Sequence, residues 1–536
     1  MVLFYDYTTY GAKVNDFSTF IPIGFSFFRK EKTRLFPLAR GGARVYTLKI
    51  KQKGAKVMRL GDRTAEAYVL LGSTVFLWAA PFFAAGGGYS RITGFKAAVY
   101  AALTFLFLLS ALDLPRFSGF FRAPERVLTA AWLLFCLLSA LCSPWQRTAF
   151  LGGSRKEGFL QLGLYGMSFL LLSLRRPRRR VLLLAFAAGI FFLEVYSLIQ
   201  LRGYDPLGLY PPGMGWADAN LRYAGSYLGT VGNAGQTGAV LTAAAALFFL
   251  LILEKGGRSW FLLPLLLLTA WILSETELTA PLPALGAAAF LSLFLCKTLE
   301  KLCAWFCVSS LLAAVLLHRF LAPSAGLLLA AMALGAWAFL RLGPGQRPVR
   351  LWSLCLGVGL LCLALLFFLT YRGWYTPLLE GRDLLRGQVR EEMGSGRVFI
   401  WKQVLSKAWE HPFLGTGPDT LALRELTPYS YFSGDAGRTV TLSIDAAHNE
   451  VLQTLICCGL PAALCHLGLF VCAAIRFFRE KDGRRACAGG AMAYAVQAMF
   501  GISMCASAPV FWVLLALSIP EGGGQAAKAQ HTDEPK

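Results

Sequence analysis

Apolar runs of about 15–22 residues recur along nearly the whole chain, separated by short polar or basic breaks. That length is close to the roughly 20 residues a helix needs to cross the hydrocarbon core of a bilayer. The runs predict helical spans near 67–85, 97–115, 127–145, 159–174, 181–200, 233–253, 260–274, 282–296, 302–320, 324–340, 351–370, 449–474, 486–503 and 507–520. The expected fold class is therefore an all-α polytopic integral membrane protein with about 14 transmembrane helices. One polar stretch, Tyr371 to Ala447, is far longer than the other breaks. It divides the chain into residues 1–65 (a polar, basic segment), 66–370 (the first eleven spans), 371–447 (the large loop), 448–520 (the last three spans) and 521–536 (a short tail).

Composition agrees with a membrane class. Of the 536 residues, 56% are hydrophobic and only 15% charged, against about 25% charged in an ordinary soluble domain. The net charge of +22 would suit a nucleic-acid partner if it were gathered on one surface. Instead the basic residues recur in short breaks between spans, the densest being "RRPRRR" from Arg175 to Arg180, so no nucleic-acid partner is expected. With residue 1 placed in the cytoplasm, the inner loops hold 20 Lys and Arg and the outer ones 8. The positive-inside rule then puts both termini in the cytoplasm and the 371–447 loop outside. The first 65 residues have no apolar core followed by a small-residue cleavage site, so no signal peptide is expected. The 13 cysteines lie almost wholly in apolar runs and show no paired zinc spacing, which points to buried thiols.

The candidate chemistry lies in the outer segments. Within the large loop, "GSGRVFIWKQVLSKAWEHPFLGTGPDT" (Gly394 to Thr420) places Trp401, Val404, Leu405 and Ala408 at helical spacing. This predicts an amphipathic helix, opened by Gly394-Ser395-Gly396 and closed by Pro412, Gly415 and Gly417. Arg397 falls in its first turn, where free N–H groups and a guanidinium together suit a phosphate or diphosphate; a loop-pairing or snorkelling arginine is the other reading. At the loop's end, Asp445, His448, Asn449 and Glu450 crowd the entrance to the twelfth span, with Gln453 one turn further in. A helix N-terminus disfavours imidazolium while Asp445 favours it, a balance that would hold His448 ready to act as a base. It can equally serve as a simple interfacial cap. The second outer segment, Tyr204 to Leu241, carries Arg222, then Asn233 and Gln236 at the mouth of the sixth span, where Asn233 can cap the helix.

These motifs resemble those of the O-antigen ligase and O-antigen polymerase superfamily. "SGRVFIWKQVLSKAWEHPFLGTGPDT" is similar to its Ser-Gly-Arg, Trp, Pro, Gly-x-Gly signature, and "AHNEVLQTLICCG" to its His-Asn signature. "GTVGNAGQTGAVL", "AFLGGSRKEGFLQLGLY" and "LIQLRGYDPLG" resemble other outer-face segments, so the resemblance runs from about residue 130 to 475. It implies a membrane glycosyltransferase of the bacterial cytoplasmic membrane, acting in cell-surface polysaccharide biosynthesis. Such an enzyme moves a glycan from undecaprenyl diphosphate to a glycan, lipid or protein acceptor at the outer face. A ligase and a repeat-unit polymerase are both open; a polysaccharide or lipid flippase is a further alternative. The resemblance makes His448 the base and Arg397 a diphosphate ligand, with Arg222 as a second; Asn233, Asn449 and Asp445 are the other expected substrate-site residues. No cofactor and no metal are expected, since guanidiniums can stabilise a diphosphate leaving group and the outer segments hold no Asp-x-Asp motif, only Glu275 and Glu277. The chain departs from the family pattern in Ala462, in Asn233-Ala234-Gly235 and in "SETELTAPLPAL", which has no arginine.

Overall fold

The computed structural model describes residues 60–76, 88–109, 117–175, 177–218, 226–316, 318, 356–362, 369–370, 376–433 and 438–520. Expectations for residues 1–59, for Arg222, for the span at 324–340, for most of the span at 351–370 and for the tail from 521 lie outside these residues. The helices, in chain order, are α1 (Leu60–Leu71), α2 (Ile92–Leu109), α3 (Pro124–Leu141), α4 (Gln146–Leu151), α5 (Phe159–Ser173), α6 (Arg179–Leu201), α7 (Ala234–Lys255), α8 (Leu263–Glu275), α9 (Pro281–Leu293) and α10 (Leu299–Leu316). After these come α11 (Thr376–Leu385), α12 (Arg397–Ala408), α13 (Glu450–Arg479), α14 (Asp482–Ala498) and α15 (Ala508–Ser518). Among the described residues six helices are long and apolar enough to cross a membrane, and four more are apolar but shorter. Eleven of the expected spans fall on such helices or on α14, and the first falls partly on α1.

The bundle is organised around α7, which is buried from Gln236 to Leu253. Its small residues Ala243 to Ala246 let α14 approach closely. On the facing side a Cβ at Gly490 would come within 3.0 Å of the Ala243 carbonyl oxygen. Small residues at a helix contact are what a lipid-embedded bundle uses, because there the gain comes from close packing rather than from escape from water. Asn233 starts α7, its side-chain oxygen accepting from the Gly235 N–H at 2.9 Å. Helix α13 packs on α3 and α14, and α15 on α5 and α14.

The two ends of the bundle differ. One gathers the turns before α6 and after α13 and α7, and there ion pairs tie helices together: Arg476 to Glu125 at 2.7 Å, Arg178 to Glu66 at 2.9 Å, and Arg485 to Glu254. The other end gathers the segments 142–158, 226–233 and 376–447. Here Thr376–Leu385 and Arg397–Ala408 form helices, and a two-stranded antiparallel hairpin pairs β1 (Tyr429–Ser433) with β2 (Arg438–Leu442).

Helix α13 is interrupted, and the interruption is where the long segment attaches. Pro461 has no N–H, so the Cys457 carbonyl loses its normal helical partner four residues on. Two donors from elsewhere replace it, the Gly417 N–H at 2.8 Å and the Ser139 hydroxyl of α3 at 2.9 Å. Gly459 leaves the helical region (φ 83°, ψ 172°), and the Leu460 N–H donates to the Pro412 carbonyl at 2.7 Å. The backbones touch: a Cβ at Gly459 would lie 2.2 Å from the Phe413 carbonyl oxygen, and one at Gly415 would lie 2.3 Å from the Cys457 carbonyl carbon. The Ser143 hydroxyl completes the junction by donating to the Thr416 carbonyl at 2.6 Å.

This junction predicts that Gly459→Ala lowers stability by at least about 2 kcal/mol, because a left-handed φ and a backbone overlap act together. Gly286→Ala, where the added Cβ meets nothing within 4 Å, is expected to be neutral or slightly stabilising. Melting curves of the purified protein in detergent compare the two; equal melting temperatures would contradict the junction.

Candidate functional site

The segment fixed at the α13 break carries α12 to the start of α13. Gly394, Ser395 and Gly396 all have left-handed backbones (φ 65°, 59° and 81°) and turn the chain sharply into α12. A side chain at Gly396 would strike the Tyr429 ring, 2.6 Å away. The buried face of α12 is Ile400, Val404 and Ala408, whereas Leu405 is 42% exposed. The expected apolar face is thus rotated by one residue, because the helix seats against α13 through the i, i+4, i+8 row that begins at Ile400. The Trp401 indole N–H donates to the Ala447 carbonyl at 2.9 Å. Arg397 lies four residues earlier, on the same side of the helix one turn away. The bond at Ala447, immediately before His448, therefore brings the first turn of α12 towards the imidazole, close enough for the Arg397 charge to act on it.

His448 itself has φ 50°. Of the six non-glycine residues with left-handed backbones among those described, Lys156, Ser395, Asp419 and His448 belong to the segments that meet here. Such conformations cost energy and cluster where function over-determines the geometry. Behind His448 the chain is tightly held. The Asn449 side-chain oxygen caps α13 by accepting from the Val451 and Leu452 N–H groups, both at 3.0 Å. Gln453 accepts from the Ala447 N–H at 2.8 Å.

Asp445 is expected from the sequence to pair with His448 or to cap the helix. Asn449 takes the cap, and Asp445 pairs with Arg155 from the turn between α4 and α5. Arg155 donates to the Asp445 carbonyl through Nη1 and pairs with its carboxylate through Nη2, both at 2.5 Å. A guanidinium with two acceptors on one residue outcompetes an imidazole for the same carboxylate. Asn233 makes no bond to His448, Arg397 or Asp445 among the described residues; its side-chain oxygen serves the α7 cap.

Arg155 was not singled out by its sequence context. It is one of three basic residues in an outer turn, and its partner lies 290 positions away. Asp419 positions that turn: its carboxylate accepts from the Gly153 N–H at 2.6 Å and from the Glu157 N–H at 3.3 Å. Burial raises the Asp419 carboxyl above its ordinary value, against the pull of those two N–H groups and of Arg155.

The electrostatics of His448 follow from this enclosure. Burial first, then the positive charges of Arg397 and Arg155, lower its pKa to about 4, with Asp445 opposing. The imidazole is therefore neutral at pH 7 and able to accept a proton. Arg397 is itself half-buried, and burial lowers its pKa, with Glu380 acting the other way. Its Nη1 donates to the Gly394 carbonyl at 2.6 Å, while Nε is buried with no hydrogen-bond partner among the described residues. A buried guanidinium with an unused donor is suited to an arriving anion.

Beneath these residues a cavity of about 60 Å³ is lined by Arg155, Glu157, Asp419, Glu450, His466 and Thr454, among others. The Tyr165 hydroxyl donates to Glu157 at 2.7 Å, and the other Glu157 oxygen is buried without a partner among the described residues. Burial pushes the Glu157 carboxyl up to about 8. Glu450 accepts from Tyr494 at 3.1 Å, and the His466 Nδ1 lies 2.9 Å from the Thr454 hydroxyl. Of this group Glu450 is legible in the sequence as part of the polar cluster at the α13 entrance, whereas Thr454 and His466 sit singly in an apolar run and the Arg155–Glu157 turn is brought to them only by packing. The chain holds five histidines, so His448 is resolvable by imidazole NMR. Its pKa is expected near 4 in the native protein, and Arg397→Gln is expected to move it upward, since one repelling charge is gone. A value near 6.5 in the unmodified protein would contradict the enclosure.

No group of three or more His, Cys, Asp or Glu among the described residues has the geometry to hold a metal ion. The family model described as O-antigen ligase matches residues 305–467. That stretch contains Arg397, the Gly415–Gly417 junction and His448, and it ends inside α13. The motifs noted before residue 305, including the Arg155 turn, lie outside it. A search of curated proteins returned no match.

Proposed function

We propose that this chain, whose residues 305–467 match the O-antigen ligase family model, moves a glycan from undecaprenyl diphosphate to an acceptor hydroxyl at the outer face of the bacterial cytoplasmic membrane. The observation that carries the reading is the convergence of a neutral His448 with Arg397 at the mouth of α13. The acceptor oxygen attacks the anomeric carbon of the donor sugar, and its proton passes to the imidazole of His448. The bond from that carbon to the phosphate oxygen breaks, and undecaprenyl diphosphate leaves with the bonding pair. Negative charge grows on the leaving oxygen, which Arg397 stabilises by charge-assisted hydrogen bonds. Arg222 is the second expected diphosphate ligand, by resemblance. Asp445 contributes through Arg155, whose guanidinium it holds beside the site.

The drawn reaction requires no divalent ion, because the leaving group is already activated and fixed cations meet its charge. The positive-inside count sets the orientation, with both termini in the cytoplasm. Ligase and polymerase readings share this chemistry and differ only in the acceptor.

Purified protein in detergent, supplied with a lipid-diphosphate-linked glycan and an acceptor, tests the proposal. His448→Ala is expected to reduce transfer to background, whereas full activity from that variant would remove the base. Arg397→Lys keeps the charge but loses the fork, and a fall of about 10²-fold in kcat is expected. Excess EDTA is expected to leave the rate unchanged. In a deletion strain, accumulated finished chains on the lipid carrier would mark a ligase and accumulated single repeats a polymerase.

A further inference from the structure

At the end of the bundle opposite His448, a cavity of about 610 Å³ opens between α6, α7, the start of α8 and the start of α14. Its position follows from α13, which begins beside His448 and runs 30 residues to Arg479, directly before α14. The unbroken stretch beyond Gly459, Leu460 to Arg479, is roughly 30 Å long at 1.5 Å per residue, the thickness of a bilayer's hydrocarbon core. The volume lies within the roughly 300–1,000 Å³ common for small-molecule sites.

Its walls and its rim have opposite character. Leu184 and Ala187 of α6, Leu251 of α7 and Phe261 before α8 make an apolar wall. Leu184 and Phe261 are 47% and 60% exposed, so the wall opens sideways towards lipid. Arg180, Lys255 and Arg258 form the rim, and none of the three has an ion pair among the described residues. Two acids are present. Glu254 is already held by Arg485 and by Lys301, the latter at 3.2 Å. Asp482 offsets one of the three rim cations, and the rim stays net positive.

We infer that this cavity binds an anionic phospholipid, with its phosphate among Arg180, Lys255 and Arg258 and its acyl chains along the Leu184–Phe261 wall. A soluble anion has no use for the apolar wall, and a zwitterionic lipid gains little from a rim of cations. Each Lys or Arg close to an anionic headgroup contributes about 1 kcal/mol, about fivefold in affinity. The inference is independent of the glycan chemistry and requires only that the bundle cross a bilayer.

Native mass spectrometry of the full chain in nonionic detergent tests it, with dioleoyl-phosphatidylglycerol, dioleoyl-phosphatidylcholine and inorganic phosphate as separate additions. The expected result is one saturable phosphatidylglycerol, at least about tenfold tighter than phosphatidylcholine, and no thermal stabilisation by millimolar inorganic phosphate. Combined Arg180→Gln, Lys255→Gln and Arg258→Gln substitutions are expected to abolish that preference. Arg258→Gln alone changes an exposed residue in the short turn after α7, so it keeps the fold and is expected to weaken binding severalfold. Equal binding of the two lipids, unchanged affinity in Arg258→Gln, or stabilisation by phosphate as large as that by the lipid would each overturn the inference.

Discussion

The Cys457 carbonyl is the point on which the rest of the site depends. A proline four residues later deprives it of its helical partner, and in an apolar bundle an unpaired carbonyl costs several kcal/mol. The chain resolves this by bringing Gly417 and Ser139 to the vacancy, at 2.8 and 2.9 Å. That repair ties the long segment between residues 376 and 447 to both α13 and α3. Without a fixed attachment, α12 would be an amphipathic helix free to lie anywhere on the bundle's surface. With it, Trp401 reaches the Ala447 carbonyl and Arg397 faces His448. The glycines at 415 and 459 are therefore determinants of the site although neither carries a side chain.

Enclosure, more than any single partner, sets the chemistry available. Two guanidiniums and burial hold the His448 imidazole neutral. Asp445, the one carboxylate opposing them, is engaged by Arg155. The result is a positive surface facing a neutral base. An arriving diphosphate would relieve the repulsion between the guanidiniums and raise the imidazole's proton affinity, so donor binding and base strength are coupled by ordinary Coulomb interaction. In the second, acidic layer beneath, Glu157 and Glu450 are each tied to a tyrosine.

Local features were legible in the sequence; long-range pairings were not. The helix from Arg397, the glycine turn before it and the boundary at His448 and Asn449 follow from capping and periodicity, which act within a few residues. The rotation of α12 that exposes Leu405 does not, because it depends on which row of side chains α13 accepts. Pro461 and Gly459 announce a break in a helix, yet nothing local says that Pro412 and Gly417 mend it. Arg155 escaped notice for the same reason: its turn is unremarkable until Asp419 and Asp445 are brought to it. Glu450 is legible in the polar cluster before α13, whereas Glu157 reads as part of a polar turn and His466 as an isolated polar residue in an apolar run, and only packing makes them neighbours.

The central claim is that Arg397 and His448, from separate segments, serve one bound diphosphate-linked sugar. An experimental structure of the protein with undecaprenyl diphosphate or a non-hydrolysable donor analogue tests it most directly. The account predicts a phosphate oxygen within about 3 Å of the Arg397 guanidinium and the sugar's anomeric carbon on the His448 side of the site. A diphosphate bound at the opposite end of the bundle, or one that leaves Arg397 without a contact, would contradict it.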